Sequence, residues 1–191
     1  MNLNQDENRT DALLWESLKA GNVSVFESIF KTNYGFLFNY CLRFHDDEDE
    51  IKDCIQILFL TIWERREFLG TTTSIRNYLL ASLRRLVLKR MRDQNGRMGI
   101  DLDTFNLQTE LSVEAQLIQD QSIKENLILL QQSIEKLPER QKEALYLKYF
   151  GNQSFAEIAA VMNITTRAVY KLIYKALDTL NDELRFTYRF E

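Results

Sequence analysis

Seven side chains between Thr165 and Lys175 carry the groups that proteins use to bond nucleic acid. At about 100° per residue, Arg167, Tyr170, Lys171, Tyr174 and Lys175 share one arc of a helix, with Thr165 and Thr166 at its start. Hydroxyls and amides at a helix start reach phosphates or base edges, while Arg167 and Lys171 can bond guanine acceptors or phosphates. This is recognition chemistry, not bond-making chemistry. The opposite face, Val169, Leu172, Ile173, Ala176 and Leu180, is apolar with the period of a buried stripe.

The preceding residues supply the means of placing that helix. Ser154 and Glu157 have the S-x-x-E spacing of a capping box, which specifies a helix start from both sides. Ile158 and Met162 face inward, and the small Ala159 lets a second helix cross closely. Asn163 stands where the chain needs a left-handed turn, a conformation asparagine tolerates better than most residues. Ile164 plugs the corner and Thr165 caps the second helix. An ordinary amphipathic hairpin would also carry basic residues, but not this combination of cap, small residue and turn. Residues 154–177 therefore predict a helix-turn-helix whose second helix, starting near Thr166, lies against DNA.

A second basic run lies upstream. Arg76, Arg84, Arg85, Lys89, Arg90 and Arg92 fall within 17 residues that hold no acid. On a helix from about Ser74 to Arg92, Arg84, Arg85, Lys89 and Arg92 fall within an arc of about 140°. A solvated helix usually mixes its signs, so this face too is read as facing nucleic acid. The net charge of -4 is segregated: residues 1–92 balance, residues 93–137 carry -5 and residues 138–191 carry +1. Such a chain binds duplex DNA weakly by itself, because its overall field gives no help.

One proline and six glycines in 191 residues exclude a turn-rich β-protein and predict an all-α fold. Thr10 or Asp11 caps a first helix that holds Leu13, Leu14 and Leu18 and stops at Gly21-Asn22. Phe26, Phe30, Tyr34, Leu37, Cys41 and Phe44 give a second its buried stripe; Ile51, Ile55, Leu58, Phe59 and Ile62 mark a third; Ile75, Leu79, Leu83 and Leu86 line the fourth. Polar, acidic residues from Asp93 form a linker. Helical periodicity returns from Val113, and Pro138 opens a helix that ends at Gly151-Asn152.

Enzymatic readings find little to stand on. Cys41 and Cys54 sit in apolar helical patterns, and His45 has no zinc-finger spacing to them. The acids of Asp46 to Glu50 lack helical placement toward a pocket. We therefore expect no catalytic residue, no metal, no cofactor and no small-molecule substrate. The polar start MNLNQDENRTD and the lack of any run near 18 apolar residues predict a cytoplasmic protein.

Two blocks of this sequence resemble the extracytoplasmic-function (ECF) sigma factors of bacterial RNA polymerase. FESIFKTNYGFLFNYCLRF, DEIKDCIQILFLTIW and IRNYLLASLRRLVLKRMR resemble region 2; LPERQKEALYLKYFGNQSFAEIAAVMNITTRAVYKLIYKALDTL resembles region 4. The resemblance implies a region 2-like four-helix domain over residues 1–92, a flexible acidic linker over 93–112 and a region 4-like helix-turn-helix domain over 113–191. It implies that Asp53, Gln56, Phe59 and Trp63 dock on the polymerase clamp coiled coil, with Asp53 and Gln56 the better contacts because Phe59 and Trp63 are partly core. It implies that Arg76, Tyr78, Arg84, Arg85, Lys89 and Arg92 melt the -10 element and hold the single strand, and that the Thr165–Lys175 helix reads the duplex -35 element. Arg85 and Lys89 stand where many relatives carry asparagine and aspartate, so specific -10 base contacts do not transfer.

The implied partners are core RNA polymerase (clamp coiled coil and flap), promoter DNA and an anti-sigma factor. The acidic linker would follow the basic RNA-exit path of the polymerase. The alternative is a helix-turn-helix regulator that works without core polymerase, but residues 1–92 show none of the alternating strands of a phosphoacceptor domain.

Overall fold

The computed structural model describes residues 3–94 and 121–187, and every regular element among them is helical. The all-α expectation holds. The chain forms two compact units. The first contains α1 (Leu3–Lys19), α2 (Val23–Cys41), α3 (Glu48–Glu64), a 3-10 turn (Arg66–Phe68) and α4 (Ile75–Gln94). The second contains α5 (Gln121–Glu135), α6 (Glu139–Tyr149), α7 (Phe155–Met162) and α8 (Thr166–Thr187). Of the expected linker only Asp93 and Gln94 are described, and they belong to α4; residues 95–120, including the start of the helical stretch expected from Val113, lie outside the described residues.

In the first unit, α2, α3 and α4 pack against one another and α1 lies on α2 and α4. Trp15, Leu18, Leu37, Ile51, Ile55, Leu79 and Leu83 form the centre. Two expectations shift here. The helix at the N-terminus starts before Thr10, so Asp11 does not cap it; Asp11 Oδ2 instead accepts the Ile75 amide at 2.7 Å and caps α4, beside Ser74, whose hydroxyl accepts the Asn77 amide at 3.2 Å. A carboxylate at that end complements both the free N–H groups and the helix dipole. Leu13, expected inside, is 68% exposed, and Trp15 takes its place, donating its indole N–H to the Gly70 carbonyl at 2.8 Å.

The buried stripe of α2 is rotated by about one residue from the aromatic pattern. Ile29, Asn33, Leu37, Tyr40 and Cys41 are buried, whereas Phe26, Phe30 and Tyr34 are half-buried along its flank and Phe44, expected on the same stripe, lies half-buried in the turn past its end. Asn33 tolerates its position because its amide donates to the Ile29 carbonyl at 2.8 Å. On α3, Asp47 caps the start, accepting from the Asp49 and Glu50 amides, both at 3.0 Å, and these bonds hold its carboxyl below the usual carboxylate range.

In the second unit, α8 packs on α5 and α6. The Pro138 carbonyl accepts the Gln141 and Lys142 amides, so the proline sits at the cap, one residue before the position expected for it. Residues 141–147 of α6 are buried, while Tyr149 and Phe150 at its end are exposed.

Candidate nucleic-acid interface

The helix-turn-helix forms from local signals in the sequence. The Ser154 hydroxyl accepts the Glu157 amide at 3.3 Å and the Glu157 carboxylate accepts the Ser154 amide at 2.8 Å, closing the capping box. Ile158, Ala159 and Met162 are buried. Asn163 ends α7 with φ 54° and ψ 49°, the left-handed conformation expected of it. Thr165 then caps α8, its hydroxyl accepting the Ala168 amide at 3.2 Å. Val169, Ile173, Ala176 and Leu180 are buried, with Leu172 half-buried.

The opposite face is open. Thr165, Thr166, Arg167, Tyr170, Lys171, Tyr174 and Lys175 are all exposed, and Arg167, Lys171 and Lys175 make no ion pair among the described residues. Three unpaired cations over little more than two turns, backed by a packed apolar face, form a surface whose natural complement is an anion. The tyrosines stack: Tyr170 and Tyr174 lie 6.1 Å apart at 12°.

The basic helix of the first unit is divided. Arg85, Lys89 and Arg92 are exposed on α4, with the Arg85 and Arg92 guanidiniums bonded back to the Ala81 and Leu88 carbonyls at 2.8 and 3.1 Å. Arg84 departs from the expected arc. It is 8% exposed, because Leu80 and Leu88, one turn on either side, put it on a stripe that α4 buries. Arg90 is held by α3, donating to Glu50 Oε1 at 2.7 Å. For Arg90, the acid missing from residues 76–92 is therefore supplied by the neighbouring helix.

Arg76 and Tyr78 face other partners. The Arg76 guanidinium lies 5.2 Å over the Phe36 ring, and the half-buried Tyr78 ring packs on the buried Trp15 at 4.9 Å. Neither joins the exposed cluster of Arg85, Lys89 and Arg92 as a free side chain.

On α3, Asp53 and Gln56 are exposed while Phe59 is 3% exposed, enclosed edge-on by Phe26 and Phe30. Trp63 is half-buried between Phe26 and the Arg66 guanidinium. The aromatic flank of α2 and the outer face of α3 enclose a cleft of about 320 Å³ lined by Phe26, Glu27, Phe30, Lys31, Gln56, Phe59 and Leu60. Leu60, at 59% exposure, is an apolar side chain that motif spacing does not single out. Its signal is the unbroken apolar run Ile57 to Leu60, in which one residue has to face outward.

A helix-turn-helix with an open cationic face, on a chain with a second compact helical unit, defines a transcription factor of bipartite build. Residues 29–97 match the family Sigma-70 region 2, and residues 127–180 match Sigma-70, region 4. The chain is 22% identical over 177 residues to the ECF RNA polymerase sigma factor SigW of Bacillus subtilis (strain 168), covering 89% of this chain and 94% of that one. Two solved structures share the fold. One is CnrH in complex with the cytosolic domain of CnrY (18% identity, TM-score 0.58, 92% of this chain and 97% of that one). The other is the sigma factor RpoE in complex with the anti-sigma factor NepR from Bartonella quintana (15% identity, TM-score 0.54, 84% and 96%). The chain belongs to the sigma-70 family of RNA polymerase sigma factors, as a member of its ECF type. Its function is that of a sigma factor: it binds core polymerase and directs promoter-specific initiation.

Proposed function

We propose that the two units divide the work of promoter use between named surfaces. In the second, Thr166, Arg167, Tyr170, Lys171, Tyr174 and Lys175 face the duplex -35 element, while Thr165 fixes the start of their helix. In the first, Arg85, Lys89 and Arg92 hold the melted -10 strand. Asp53 and Gln56, with the neighbouring cleft and Leu60, dock on the clamp coiled coil of core polymerase. Arg76, Tyr78 and Arg84 serve that surface from within, as packing and positioning groups. The domain limits that accompany this division are residues 1–92, 93–112 and 113–191, with the polymerase flap as the second unit's contact.

The observation that carries the reading is the pattern of pairing. Arg90 and Lys142 are matched by Glu50 and Glu139, whereas Arg167, Lys171 and Lys175 are left without an ion pair among the described residues. We assign the chain no catalytic role and place it in the cytoplasm; no helix among the described residues is long and apolar enough to cross a membrane. An anti-sigma factor is the expected regulator, supported by the complex in which the RpoE relative was solved.

The test uses the full chain with core polymerase. Arg167→Ala with Lys171→Ala is expected to weaken promoter selection by about tenfold or more, two charge-assisted contacts being lost, while core binding stays unchanged. Asp53→Ala with Gln56→Ala is expected to do the reverse, lowering core affinity first. Loss of core binding in the Arg167/Lys171 pair overturns the assignment of that face.

A further inference from the structure

The exposed tyrosine of the recognition helix is held in place by an aromatic residue of the preceding helix. Phe155, the first residue of α7, lies against Tyr170 with ring centroids 4.0 Å apart and planes 10° apart. A ring at that distance leaves no room for a second group on the same side of Phe155. The Lys148 ammonium, 5.1 Å over the Phe155 ring, therefore covers the other side, and it also donates to the Gln153 carbonyl at 3.2 Å. Together with Tyr174 behind Tyr170, the order is Lys148, Phe155, Tyr170, Tyr174, drawn from three successive helices.

This stack limits what Tyr170 can do. One face of its ring is covered at van der Waals distance, so no base stacks there. The residue nevertheless remains 42% exposed, so the side chain still reaches solvent past that covered face. Phe155 is itself placed by the capping box, whose reciprocal Ser154 and Glu157 bonds fix the first turn of α7. A tyrosine on an open helix face otherwise samples several rotamers and must be ordered on contact. Here that ordering occurs on folding.

We propose that Phe155 is a positioning residue that presents the Tyr170 hydroxyl to the duplex as a preset hydrogen-bonding group, making Tyr170 specificity-determining through its edge and not through stacking. The proposal rests on the reading of α8 as the duplex-facing helix and assigns a role to a residue that does not itself touch DNA. It also separates Tyr170 from Lys171: the tyrosine contact is directional and base-dependent, the lysine contact chiefly a charge.

The experiment uses holoenzyme assembled from the full chain and core polymerase, selecting from duplexes with a randomised upstream segment and reading base enrichment at each position. Tyr170→Phe is expected to lose about fivefold enrichment at one or two positions, the loss of one hydrogen bond. Phe155→Leu is expected to lose enrichment at those same positions, Phe155→Tyr to retain it, and the double variant Phe155→Leu/Tyr170→Phe to be no worse than either. Lys148→Met, which removes the outer layer without opening a cavity, is expected to give a smaller loss at the same positions and guards against a Phe155→Leu variant that does not fold. Unchanged base preference in Tyr170→Phe, or losses from Phe155→Leu or Lys148→Met spread evenly over all positions, overturns the proposal. If Arg167→Ala with Lys171→Ala also leaves selection unchanged, the duplex reading of α8 itself has failed; if that pair alters selection, only the role given to Phe155 and Tyr170 has.

Discussion

Glu50 and Arg90 join the helix that carries Asp53 and Gln56 to the helix that carries Lys89 and Arg92. The pair is partly buried, with side chains 16% and 33% exposed, and its 2.7 Å bond is charge-assisted. Glu50→Gln keeps the shape and removes the charge, leaving Arg90 with a weaker partner. A thermal melt followed by circular dichroism is expected to show a loss of about 1 kcal/mol, which lowers Tm by about 4–8 °C in a unit of this size. An unchanged Tm would mean that solvent screens the pair as fully as a surface bridge. The same scale shows where the sequence stops being legible. The charge of Arg84 points outward, yet Leu80 and Leu88 on either side mark its stripe as apolar, so the signal for burial is present and the charge masks it. Asn33 and Asp11 give no local signal: one is buried through a bond to its own helix, the other caps a helix 64 residues away.

Among the elements, the helix-turn-helix is readable almost atom by atom because each of its determinants lies within four residues of its partner. Asn163 is the clearest case. At φ 54° most residues that carry a Cβ are strained, and asparagine and glycine are the ones that accept it. Asn163→Ala is expected to destabilise the second unit by about 1–2 kcal/mol, and Asn163→Gly to stay close to the parent, as measured by denaturant unfolding. Equal losses in the two variants would show that the asparagine amide, and not its backbone, holds the turn. The helix α2 is legible only in outline. Its aromatic residues have helical spacing, but aromatic size is a poor guide to depth: Ile29 and Leu37 are buried and the phenylalanines flank them, where they wall the cleft beside Gln56.

For the whole molecule, charge separates what the chain does alone from what it does in company. With a net charge of -4, the long-range field repels DNA, and attraction is confined to the open faces of α4 and α8. The free chain is expected to bind a promoter duplex with a Kd of about 10⁻⁵ M or weaker, with affinity falling further between low and physiological salt. Holoenzyme is expected to bind the same duplex orders of magnitude more tightly. An electrophoretic or anisotropy titration at two salt concentrations checks both, and tight binding by the free chain would show that local faces outweigh the overall field. Composition is sufficient for the all-helical class, and segment charge for a chain of unequal parts. Neither supplies pairing across helices, since the acid that neutralises Arg90 sits 40 residues earlier.

The bonds from Asp11 to the Ile75 amide and from Trp15 to the Gly70 carbonyl also set an order of events during synthesis. Helix α1 leaves the ribosome ahead of the groups that anchor it, which are made 64 and 55 residues later. At about 5–20 residues per second, that is a wait of roughly 3–13 seconds. Through this interval α1 can pack on α2 but lacks both of these anchoring bonds. The docking of α1 is thus expected to be completed only when α4 has emerged and supplies the Ile75 amide.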